Sequence, residues 1–198
     1  MHKPWIAGLL LVALLIAFRC LGAVYADVLP NFSPLPALFI CSVVFFRGKQ
    51  AWLLPIAIMS AWLISSPIVS ILQGYSAFGS IAPILTAFIA LLAIGFLALP
   101  LRKHRSAPVI LGAGLVAAVI FHLFTGVAAW LGDPRYLKTA GGLVQALWTG
   151  SPIDVLPSWA FLRNLAAANI LFTTIFLAAR YSWSPRQLPE AQTLPQSR

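Results

Sequence analysis

Apolar residues run almost unbroken along this chain, in stretches of about 20 residues, the length at which a helix crosses a bilayer core. Short polar clusters separate them: Arg47-Gly48-Lys49-Gln50, a Gly- and Ser-bearing break at 74–80, a basic one at 102–108 and a long one at 132–158. The pattern predicts six membrane-spanning helices, at residues 5–24, 36–46, 51–73, 81–101, 109–131 and 160–180. Pro83 and Pro108 fall at span starts, where a missing N–H costs little. The expected fold class is therefore all-α: a polytopic membrane protein with one six-helix domain over 1–181 and a disordered tail over 182–198.

The second span is approached through Val28-Leu29-Pro30-Asn31-Phe32-Ser33-Pro34-Leu35-Pro36, which no regular helix accommodates. Irregular backbone at membrane depth is tolerated only where protein or a water-filled cavity covers it. This stretch is expected to fold back as a capped loop, with Asn31 and Ser33 bonding local backbone. The break at 132–158 is a second candidate lid, and its part 137–147 reads as a short helix lying in the interface. Trp130, Trp148 and Trp159 suit an interfacial belt.

Composition agrees with the pattern. The chain has 198 residues, 61% hydrophobic and 9% charged, with a mean hydropathy of +0.93, more apolar surface than a soluble domain of this size can hide. A net charge of +9 would suggest nucleic acid in a soluble protein, but here the cations stand at span ends, and no nucleic-acid partner is expected. Lys3, Arg47, Lys49, Arg102, Lys103, Arg105, Arg180, Arg186 and Arg198 fall on one side, with Glu190 the one acid. The other side has Arg19, Arg135, Lys138 and Arg163 against Asp27, Asp133 and Asp154. The richer side is expected to be cytoplasmic, with both termini inside. A rival reading makes the first span a signal peptide cleaved after residues 24–26; its length and Arg19 near its end speak against that. Cys20 and Cys41 form neither a disulfide framework nor a zinc signature.

Polar side chains collect in the outer half of the spans: Arg19, Asn31, Ser65, Ser66, His122, Thr125, Arg163 and Asn164. Two readings stand for Arg19 and Arg163. They snorkel to the outer interface, or they line an outward-facing cavity with Asp27 as counter-charge. His122 sits in a four-residue stripe with Gly114, Ala118 and Gly126, which lets span five pack closely on a neighbour. It is either a packed, hydrogen-bonded histidine or a ligand contact. No second ligand at metal spacing accompanies it, and no metal or cofactor is expected.

The order Pro30-Asn31-Phe32-Ser33-Pro34, then 121–130, then Tyr136-x-Lys138-Thr139-x-x-Gly142-Leu143, then Phe161-x-Arg163-Asn164, resembles an uncharacterised bacterial membrane-protein family. That family is in turn similar in fold to the S components, the substrate-binding subunits of energy-coupling-factor vitamin transporters. The chain departs from the pattern at Ala168-Asn169, where an acidic residue after a glycine is expected. The resemblance implies an S-component-like bundle in the bacterial cytoplasmic (inner) membrane, binding a vitamin-like or other small solute near the outer face. Arg19, Asn31, His122, Arg163 and Asn164 are the candidate substrate-binding residues. The resemblance also implies a partner, a transmembrane coupling subunit with ATPases, docked at an Ala-x-x-x-Ala pair that Ala13 and Ala17 would supply.

Two other functions compete. His122 with Ser65, Ser66 or Asp27 could act in nucleophilic chemistry, but no motif fixes such a pair, and the expectation is a protein that is not an enzyme. The alternative to solute binding is a non-catalytic assembly or scaffold subunit, docked through its small-residue stripes. The chain has no phosphate-binding Gly-x-x-x-x-Gly-Lys-Ser/Thr loop, so energy for uptake would come from a partner.

Overall fold

The computed structural model describes residues 4–26, 28–74, 76, 81–152 and 156–182. Asp27, Asp154 and the expected tail from residue 183 lie outside the described residues. The described residues form helices and no strands: α1 (Pro4–Val24), α2 (Leu35–Phe45), α3 (Gln50–Leu72), α4 (Ala82–Ala98), α5 (Ala107–Gly132), α6 (Ala140–Leu147) and α7 (Ser158–Ser182). Six coincide with the apolar runs and α6 with the short helix expected in the long break. Three stretches, Gln50–Leu72, Ala107–Gly132 and Ser158–Arg180, are long and apolar enough to cross a membrane.

The second apolar run differs from a span. Its helix has 11 residues, all of them buried. At 1.5 Å per residue it is about 16 Å long, against a hydrocarbon core of about 30 Å. A helix that is apolar all round belongs inside a bundle, and α2 touches α3, α4, α5 and α7. Leu38, Val44, Ile58, Leu91, Ile94, Ile110 and Leu165 close the core around it. The fourth run also ends early. Pro100 opens a 3-10 turn over Pro100–Arg102, so the α-helix stops at Ala98.

The outside is as apolar as the inside. Trp52, Ile64, Ile81 and Phe96 are each more than 70% exposed, and large aliphatic side chains cover the outer faces of α3, α4 and α5. Water would not support such a surface, and lipid does. Buried polar residues sit inward instead: Ser42, Ser65, His122, Asn164, Asn169 and Thr173. The α5 stripe of Gly114, Ala118, His122 and Gly126 is buried along its whole length. A Cβ on Gly114 would stand 3.1 Å from the Thr173 hydroxyl of α7, and one on Gly126 would stand 2.5 Å from Leu147 Cδ2 of α6. The stripe thus sets how closely α5 meets both neighbours.

The ends of the bundle differ in charge. Arg102 Nε donates to the Val43 carbonyl at 2.8 Å. The guanidinium groups of Arg105 and Arg180 both lie over the Phe45 ring, at 5.9 and 4.7 Å. The cations of the 47–50 and 102–108 breaks and of the α7 C-terminus therefore gather where α2 ends. The polar pocket described next lies where α2 begins.

Candidate functional site

Residues 28–34 form the loop that the prolines demanded. Leu29 N–H donates to the Tyr25 carbonyl at 2.8 Å, and Phe32 N–H to that of Leu29 at 3.2 Å. Asn31 takes a left-handed φ of 57°, a conformation asparagine tolerates better than most residues. Ser33 Oγ accepts from Leu35 N–H at 3.3 Å, the local bond expected of it. The loop is anchored from below by Phe32, whose ring lies 6.3 Å from Phe18 and 6.2 Å from Phe172. It also passes close over α1: a Cβ on Gly22 would stand 3.1 Å from the Phe32 carbonyl oxygen.

Asn164 ties the loop down from the side. Its Nδ2 donates to the carbonyls of Val28 at 3.4 Å and Pro30 at 3.2 Å. Its Oδ1 accepts from Arg163 Nε at 3.1 Å, which fixes which way the amide points. Arg163 itself is exposed, with its guanidinium 5.3 Å from the centre of the Trp159 ring. An Asn164→Ala variant frees two carbonyls of this loop. It should lose about 1–3 kcal/mol of stability. Faster amide exchange over 28–34 in the variant, measured by mass spectrometry, is the expected local sign; unchanged exchange there would mean that the loop holds itself.

Under the loop lies a cavity of about 430 Å³. The C-terminal end of α1 lines it with Arg19, Gly22 and Ala23, the loop with Asn31, Phe32 and Ser33, and α3 with Trp62, Val69 and its C-cap Gln73. The far wall is α5, with Phe121, His122, Thr125 and Gly126; Tyr136, Ala146 of α6, and Ser158 and Phe161 of α7 complete it. Of the five candidate residues, Arg19, Asn31 and His122 meet here. Arg163 and Asn164 do not line the cavity; they serve the loop that covers it. Depth along a span placed all five alike, but the azimuth around α7 decides, and Arg163 sits one residue off the buried line of Ala160, Asn164 and Ala168. Ala13 and Ala17 lie on the exposed face of α1, away from the cavity.

Arg19 packs against α3 one turn before Pro67, within a helix that runs unbroken from Gln50 to Leu72. Pro67 cannot donate to the carbonyl of Leu63 one turn earlier and crowds it, so the ladder is weakened there. Arg19 NH1 donates to the Trp62 carbonyl and to Ser65 Oγ at 2.6 Å, and NH2 donates to Ser66 Oγ at 3.3 Å. Both serine hydroxyls donate in turn to the Trp62 carbonyl, at 3.0 and 2.8 Å. The guanidinium lies 5.1 Å from the centre of the Trp62 ring. These bonds use three of the five N–H groups that arginine offers. Among the described lining residues Arg19 carries the one formal charge.

His122 Nε2 lies 2.9 Å from the Leu147 carbonyl, so that nitrogen carries a proton and donates. The bond fastens α6 to α5 at the cavity wall. Thr125 Oγ1 donates back to the Phe121 carbonyl at 3.0 Å. Farther out, Lys138 Nζ donates to the carbonyls of Trp130 and Asp133, closing the C-terminal end of α5. Hydrogen bonds from Arg135 hold the Asp133 carboxyl down at about 2. That contribution is complete above the ordinary carboxylate range and fades only as pH falls through about 2.

Sequence reasoning missed Trp62, Gln73 and Tyr136 as cavity residues. Trp62, Val69 and Gln73 recur at 7 and 4 residues along α3, which puts them on one face with Ser66. That signal was available. Nothing in the periodicity marked Tyr136, which enters from a loop and is 5% exposed.

No curated protein and no solved structure matches the chain. A family of unknown function (DUF6580) matches residues 1–191, nearly the whole chain, and the protein belongs to that family.

Proposed function

We propose that this protein is a non-catalytic, solute-binding component of the bacterial cytoplasmic membrane, similar in role and fold to the S components of energy-coupling-factor transporters. In this reading α1, α3, α4, α5 and α7 span the bilayer, α2 with the loop before it makes the sixth crossing inside the bundle, both termini are cytoplasmic, and the solute sits near the outer face. The observation that carries the reading is the 430 Å³ cavity under a proline-pinned loop, with one cation among aromatic and hydroxyl-bearing walls. A site of that size, apolar with a few convergent polar groups, suits a small molecule. Arg19 would meet an anionic or hydrogen-bond-accepting group, and Trp62, Phe121 and Phe161 would pack on a flat ring. The cationic end of the bundle supports a cytoplasmic placement of that end.

Uptake would need a coupling subunit and its ATPases. Ala13 and Ala17, exposed on α1, are where a partner helix could approach closely. The same exposed pair favours the second reading, an assembly subunit with no solute. Native mass spectrometry of the gently extracted protein separates the two. The expected result is a bound small molecule, lost on competition with excess purified solute. A stable protein partner with no small ligand would replace this reading with the assembly one. Labelling of single cysteines at positions 76 and 103 from either side of the membrane tests the orientation, with position 103 expected to be accessible only from inside.

A further inference from the structure

Given the solute-binding reading above, the hydrogen bonds already made around the cavity decide what a solute must bring to it. On the α1 and α3 side the side chains of fixed role donate. Arg19 spends three N–H groups on the Trp62 carbonyl and the two serines and keeps the other two for a ligand. Those two sit on Nε and on the terminal nitrogen next to it, neighbours that can grip a carboxylate together. The Trp62 indole, which lines the same side, can only donate.

On the α5 side the roles are reversed. Thr125 commits its hydroxyl proton to the carbonyls of Phe121 at 3.0 Å and His122 at 3.1 Å, so its oxygen can only accept from a ligand. His122 commits its Nε2 proton to the Leu147 carbonyl, and a neutral imidazole protonated there has Nδ1 as a bare acceptor. Both residues line the cavity. Asn31 and Gln73 can turn either end of an amide inward and decide nothing. Charge narrows the class further. Arg19 is the one formal charge among the described lining residues, and no carboxylate is among them. One negative charge on the solute is therefore balanced. A second would be buried without a partner, and a cation would meet Arg19 as a like charge. We propose that the solute is an aromatic monoanion, a single carboxylate on a flat ring, with an N–H or O–H donor at the end remote from the carboxylate. The carboxylate lies on Arg19, and the donor on Thr125 and His122.

The test begins with the full chain gently extracted from its own host. It is denatured, and the molecule it releases is identified by mass spectrometry. The expected result is a ring bearing one carboxylate and a remote amino or hydroxyl group. A phosphate ester, a cation or an acid without a donor would overturn the proposal and leave the solute-binding reading standing. A chain that arrives empty is dialysed against 4-aminobenzoate, its methyl ester, 4-(dimethylamino)benzoate and phenyl phosphate. Retention of 4-aminobenzoate is expected to exceed that of the ester and of phenyl phosphate about tenfold or more, and that of the dimethylamino acid about two- to tenfold. Thr125→Val should narrow the second difference and keep the first. Equal retention of 4-aminobenzoate and its ester, preference for phenyl phosphate, or an unchanged second difference in Thr125→Val would each overturn the proposal. Retention of none of the four by the empty chain would overturn both the proposal and the solute-binding reading beneath it.

Discussion

Gly142→Ala should undock α6 from the bundle, while Gly141→Ala next to it should do almost nothing. Both glycines lie in the first turn of α6, after the Thr139 cap, whose hydroxyl accepts from Gly142 N–H at 3.2 Å. A Cβ on Gly142 would overlap the Leu137 carbonyl oxygen and stand 2.9 Å from its carbon. The obstacle is backbone, so no rotamer change relieves it. That carbonyl also accepts from Trp130 Nε1 at 2.8 Å, so moving it breaks the tie between the loop and α5. Overpacking of this kind costs about 1–3 kcal/mol or more. A Cβ on Gly141, in contrast, would meet nothing closer than the Thr139 hydroxyl at 3.8 Å. Alanine there should be neutral or slightly stabilising, since it favours helix by up to about 1 kcal/mol. The expected readout for Gly142→Ala is rapid amide exchange over 140–147 and a changed Trp130 emission. Equal behaviour of the two variants would mean that the loop before α6 adapts, and that α6 is not braced through Leu137.

Much of this architecture was legible because burial in a membrane bundle leaves a plain pattern. Apolar runs gave the helices, and the proline spacing of 28–36 gave the loop. The four-residue stripe through His122 gave the inward face of α5. Thr139 explains why the short helix begins at Ala140 rather than at 137: its cap sits there. What escaped the sequence depends on azimuth and on contacts between distant segments. Arg19 and Arg163 have the same character and comparable depth. One is held inside by α3, through the Trp62 carbonyl 43 residues away. The other faces outward onto Trp159, four residues earlier on its own helix. Arg19 lines the cavity, and Arg163 lies on Trp159 outside it. The enclosure of α2 was harder to foresee, because an apolar run of that kind reads the same whether lipid or protein surrounds it. Its 11 residues, too few to span, were the available clue.

If the cavity binds a solute as proposed, Arg19→Gln should leave the fold standing and remove most of that affinity. An arginine inside a membrane bundle costs free energy, about 2.5–3.5 kcal/mol at the bilayer centre and less toward an interface. Its removal orphans no buried acceptor here, because the Ser65 and Ser66 hydroxyls go on donating to the Trp62 carbonyl. The empty variant should therefore melt at the same temperature as the parent or a little higher. Binding should behave in the opposite way. A charge-assisted hydrogen bond contributes about 1.5–3 kcal/mol, which corresponds to roughly 10- to 150-fold in affinity. Arg19→Lys separates charge from shape. Lysine keeps the cation but loses the planar fork that reaches the Trp62 carbonyl and both serines at once, so an intermediate loss is expected. The affinity measurement uses the solute identified on the native protein, with melting followed on the same samples. A variant that melts far below the parent, yet binds normally where it remains folded, would make Arg19 a brace between α1 and α3. A variant that is as stable as the parent and does not bind would mean that the cation is held against α3 for the ligand, with the two serines supplying its place when it is gone.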